Sequence, residues 1–148
     1  MSWASSSKKA LEEFSQSVAG FEQSLTSGGI KLLKSCLDVG RATPARRLAH
    51  RALDPLRHWK ARQIDETAGE CWKAYSDARN SMLLRTHTTL LPCMIMQADN
   101  ERAARLNLIR GVLSGLQYEG KHHAVVEPDP DIAFEFTPDC IAAERLAI

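Results

Sequence analysis

Apolar residues recur at helical spacing from residue 7 to about 120, and strict alternation is almost absent before the C-terminal segment. Leu11, Phe14, Val18, Phe21 and Leu25 are spaced three and four apart, which stacks them on one stripe while Glu12, Glu13, Gln16 and Gln23 face away. This predicts a helix from Ser7 to the Ser27-Gly28-Gly29 break. Ile30, Leu33, Cys36 and Leu37 form a second, shorter stripe closed by Gly40. Thr43-Pro44 and Asp54-Pro55 each set a capping side chain before a proline at the first helical position, where the missing amide hydrogen has no partner to lose.

From Pro55 the positions Trp59, Gln63, Thr67, Cys71, Tyr75, Ala78 and Met82 fall on one face, predicting a long helix over 55–86. The segment Thr86 to Gln97, with Pro92 among apolar residues, reads as a packed connection. Asp99 then caps a helix with Ala103, Leu106, Ile109, Val112, Leu113 and Leu116 as its stripe, ending near Gly120. Residues 124–126 and 132–136 have strand-like composition between prolines, and Thr137-Pro138-Asp139 is a further helix start. The expected fold is all-α: a bundle of four to five helices around one long central helix, with residues 1–120 as a helical domain and 121–148 as an irregular acidic C-terminal arm.

The bulk numbers fit a folded chain. With 148 residues, 44% hydrophobic and 25% charged, it is long enough for one core and too apolar for wholesale disorder. No apolar run approaches the roughly 18 residues that span a bilayer, and the first residues lack the basic-then-apolar order of a secretory signal. The four cysteines, Cys36, Cys71, Cys93 and Cys140, are too scattered for a disulfide framework. A cytoplasmic protein with reduced thiols is expected.

Charge changes the picture. Residues 31–62 hold nine basic side chains against Asp38 and Asp54, a net +7, whereas the last 23 residues hold six carboxylates against Arg145, a net −5. Arg46, Arg47, Arg51, Arg57, Lys60 and Arg62 are the candidate surface for a protein partner or a nucleic acid, with a solvated face as the plain alternative. In the arm, Phe134 and Phe136 interleave with Glu135, beside Glu127, Asp129 and Asp131, a pattern suited to docking in a partner's groove or on the chain's own basic face.

Catalytic motifs are missing from this reading. Cys93 and His87 are the nearest approach to a nucleophile and base. Cys71, His87, Cys93, His122, His123 and Cys140 lack the paired spacing of a structural zinc site, so no metal and no cofactor are expected. The expected function is that of a non-enzymatic protein–protein interaction factor, an adaptor, assembly or inhibitory protein, with homo-oligomers within its reach. The alternative is nucleic-acid binding through residues 41–62.

Overall fold

The strand Cys93–Gln97 is the central strand of a three-stranded sheet. A computed structural model describes residues 8–53 and 72–147. In chain order these form α1 (Lys8–Ser27), β1 (Lys34–Asp38), α2 (Ala42–Leu53), α3 (Trp72–Thr86), β2 (Cys93–Gln97), α4 (Glu101–Ser114), α5 (His123–Val126), β3 (Ala133–Glu135) and α6 (Asp139–Ala142).

The all-α bundle is therefore overturned. Three strands in the order β1-β2-β3 make a mixed sheet: β1 runs parallel to β2, pairing Lys34 with Cys93 through Asp38 with Gln97, and β3 runs antiparallel to β2, pairing Ile95 with Phe134. Parallel strands cannot be joined by a tight turn, so the chain between β1 and β2 must cross over, and α2 and α3 lie in that crossover.

The sequence hid these strands for physical reasons. β2 is covered on both faces, so its side chains do not alternate between apolar and polar. Cys93 and Ile95 enter a core with Leu83, Phe134, Phe136, Cys140 and Leu146, while Met96 enters a second core on the other face with Ala98, Ala104 and Ala133. The stripe assigned to a helix at Ile30–Leu37 satisfies three-residue spacing, yet the chain leaves α1 through Gly28 and Gly29, the latter at φ +86°, and enters β1 extended. Of the long helix expected over 55–86, Trp72–Thr86 is helical and residues 55–71 lie outside the described residues.

The C-terminal segment is not irregular either. It supplies β3 and α6, and Phe136 is completely buried. Helix α4 is rotated from the expected stripe. Ala104, Asn107 and Gly111 face inward, whereas Leu106 and Ile109 are about half exposed. The small residues allow close approach, and Asn107 is satisfied by donating to the Ala103 carbonyl and accepting from the Asp129 amide. No helix among the described residues is long and apolar enough to cross a membrane.

Candidate functional site

In an open α/β sheet the crevice outside the carboxyl ends of parallel strands is the usual ligand site, because there the strands hand over to helices through loops. Here β1 ends at Asp38 and β2 at Gln97, and the chain turns through Val39-Gly40-Arg41 into α2 and through Ala98-Asp99-Asn100 into α4.

The two turns are stitched together. The Ala98 amide donates to the Asp38 carbonyl at 2.7 Å, and the Gly40 amide donates to Asp99 Oδ1 at 2.8 Å. A Cβ on residue 40 would lie 2.8 Å from the Asp99 carboxylate, so any side chain there would have to displace that carboxylate from the Gly40 amide. Asp99 was expected to cap α4. That role falls to Asn100, whose side chain accepts from the amides of Arg102 and Ala103. Asp99 instead braces the start of α2. Its hydrogen bond with Thr43 holds its carboxyl below the usual range, against some desolvation, with help from the Gly40 amide, Arg46 and Arg47.

Of the predicted basic residues, Arg46 and Arg47 come to this edge. Arg46 is exposed and its Nη2 lies 3.3 Å from Thr43 Oγ1. Arg47 is half-buried; it donates to the Ala98 carbonyl at 2.6 Å and pairs with Glu101 at 3.2 Å. Arg51 follows one turn further along α2. Arg57, Lys60 and Arg62 lie outside the described residues.

The acidic residues of the arm are placed elsewhere. Phe134 and Phe136 are core residues, while Glu127, Asp129, Asp131 and Glu135 are exposed. Among the described residues none of these carboxylates pairs with α2. The arm meets the sheet through its last residues instead. Asp38 is buried, forms an ion pair with Arg79 of α3, and accepts the Ala147 amide at 2.8 Å. Arg79 donates to the Ala147 carbonyl at 2.7 Å, so one residue is held by both its backbone groups. This clasp escaped the sequence because its members are far apart; the aspartate at the end of β1 was its only local sign.

Among the described residues no hydrogen bond joins Cys93 to His87. Burial pushes the Cys93 thiol up, with Cys36 adding to the shift, which disfavours the thiolate a nucleophile requires. The His87 ring instead packs edge-on against Phe136 at 5.5 Å. Gly115 to Lys121 has the glycine and lysine spacing of a phosphate loop, but His122 stands where a hydroxyl residue is needed. The segment follows a helix, and Lys121 Nζ closes α4 by bonding the carbonyls of Ser114 and Leu116. Among the described residues no three His, Cys, Asp or Glu side chains converge to hold a metal ion.

A parallel strand pair joined through helices, with an antiparallel third strand beside it, makes this an α/β protein rather than a helical bundle. The family model for Polyphosphate kinase 2 matches residues 4–124. The chain belongs to the polyphosphate kinase 2 family. It is 40% identical over 128 residues to NDP-polyphosphate phosphotransferase 3 of Ruegeria pomeroyi, covering 86% of this chain and 42% of that protein. It is 37% identical over 119 residues to the GDP-polyphosphate phosphotransferase of Pseudomonas aeruginosa, covering 80% of this chain and 33% of that one. The crystal structure of polyphosphate kinase 2 from Arthrobacter aurescens TC1 superimposes with a TM-score of 0.63 at 28% identity, over 67% of this chain and 36% of that chain.

These relatives are enzymes, and the expectation of a non-enzymatic adaptor or nucleic-acid binder is overturned with them. The chain spans a third to two-fifths of the length of these curated relatives. Helical periodicity cannot report such a relationship, because it records where apolar residues fall and not which polar residues accompany them.

Proposed function

We propose that this chain takes part in phosphoryl transfer between inorganic polyphosphate and a nucleoside diphosphate, and that it holds the polyanion on the basic stretch leaving the carboxyl edge of β1. Arg46 and Arg47 of α2 are the described part of that surface, and Arg51, Arg57, Lys60 and Arg62 continue it in sequence. The observation that carries the reading is positional: the basic helix α2, with Arg46, Arg47 and Arg51, begins where the parallel strands end.

The chemistry asks for such a surface. Phosphoryl transfer needs little covalent help from protein; it needs the phosphates positioned and their spread charge opposed by cations. A chain of phosphates, each carrying negative charge, matches a row of guanidinium groups, which bind phosphate oxygens in a planar, two-pronged fashion. Family membership supports polyphosphate as the anion, and the relatives named for GDP and for nucleoside diphosphates generally support a nucleotide as its counterpart. The cytoplasm suits this reading, and Cys36, Cys93 and Cys140 are free thiols.

Binding of polyphosphate at several salt concentrations tests the proposal. Affinity should fall steeply with salt, and Arg46→Ala should both weaken binding and reduce the salt slope by about one. Arg46 is the better target because Arg47 also supports the β2–α4 turn. Affinity indifferent to salt, or unchanged in Arg46→Ala and Arg51→Ala together, would overturn it.

A further inference from the structure

Two cavities open at the carboxyl edge of the sheet, and the C-terminal segment walls both. One, of about 290 Å³, is lined by Asp38, Gly40, Gln97 and Asp99 at the ends of β1 and β2 and by residues 144–147. The other, of about 360 Å³, is lined by Arg41, by residues of α3 and again by Glu144 and Leu146. The first lies where an open α/β sheet offers a ligand its crevice, and a stretch of backbone already stands there. That stretch lies beyond residue 124, where the family match ends.

Three features hold it. The Arg145 amide donates back to the Cys140 carbonyl at 3.0 Å, closing α6 with a turn in which Glu144, at φ 52°, takes the left-handed position that glycine usually fills. Leu146 is buried in the core with Leu83 and Phe136. Ala147 closes the clasp, its amide on Asp38 and its carbonyl on Arg79. The turn is strained, because a residue with a side chain sits at positive φ, whereas the clasp holds Ala147 by single hydrogen bonds. While it is closed, Arg79 is taken up by Asp38, Asn80 and the Ala147 carbonyl, and the exposed Glu144 stands beside the strand ends.

We propose that residues 144–147 are an autoinhibitory strap: latched through Ala147, the strap closes the carboxyl ends of β1 and β2 to the polyanion carried on α2, and release of Ala147 opens them. Glu144 is the hinge, since its strained backbone lowers the barrier to leaving the turn. A ligand that enters only the open form draws the chain toward it, and its apparent affinity is the intrinsic one reduced by the fraction of chains that are open. The inference rests on the proposed function for the identity of the anion.

Hydrogen exchange at the Ala147 amide, together with polyphosphate titration of the whole chain, tests it. Saturating polyphosphate should speed exchange of that amide about threefold or more. Ala147→Pro removes the amide hydrogen that Asp38 accepts and should raise polyphosphate affinity about threefold or more. Glu144→Gly relieves the hinge and should bind polyphosphate more weakly than Glu144→Gln, which removes the same charge but keeps a side chain at positive φ. That second comparison keeps the test decisive if Ala147→Pro lowers the melting temperature. Exchange indifferent to bound polyphosphate, or equal affinities within both comparisons, would overturn the strap and leave the basic surface in place. Absence of polyphosphate binding by every form, Ala147→Pro included, would overturn the strap and the proposed function together.

Discussion

At Gly111 the helix α4 packs close to the sheet: a Cβ there would sit 3.1 Å from Met94 Sδ. A branched side chain must displace that methionine or the helix. Gly111→Val should therefore destabilise the fold by about 1–3 kcal/mol, read as a lower denaturant midpoint with an unchanged slope. Asp99 gives a prediction of different kind. Its carboxyl is held below the unfolded-chain value of about 3.9, so its stabilising contribution is complete above that value and is lost as pH falls through the lower folded one. Asp99→Asn should lower the melting temperature at neutral pH and narrow its gap to the unaltered chain in acid. A gap that stayed constant between pH 6 and pH 2 would count against the bracing role of this carboxylate.

Among elements, one ammonium ties three together. Lys34 at the start of β1 pairs with Glu22 of α1 at 2.8 Å and donates to the Thr86 carbonyl, the last residue of α3, at 2.9 Å. Both side chains are largely buried, so Lys34→Met should cost about 3 kcal/mol by stranding the carboxylate, and adding Glu22→Gln should restore much of it. Stability in urea measures both. What the sequence announced at this scale was local. The extent of α1, the start of α2 at Thr43-Pro44, the extended stretch around Phe134 and the helix after Thr137 all rest on signals within a few residues, and all formed. β1 and β2 did not show, because a doubly covered strand has no alternating face and a five-residue strand can imitate helical spacing. The site divides in the same way. Arg46 and Arg47 were visible as a cluster, while the pairing of Asp38 with Arg79 and of Asp99 with Gly40 exists only once the crossover is made.

The described residues leave much apolar surface in water. Phe14 is 56% exposed, Phe21 64% and Leu37 59%, and among the described residues β1 is an edge strand. Self-association driven by such surface should persist or strengthen as salt rises, because apolar burial is not screened. Light scattering at low and high salt checks this; dissociation by salt would point to the opposed charges of residues 31–62 and the C-terminal segment instead. The clasp bears on how the molecule comes into being. Asp38 waits 109 positions for the Ala147 amide. At the ribosome's pace of about 5–20 residues per second, its carboxylate stays without that amide for roughly 5–20 s after it is made. The carboxyl edge of the sheet thus stays incomplete until residue 147 has been made, and the interval in which a chaperone or protease meets it unfinished is set by the speed of translation.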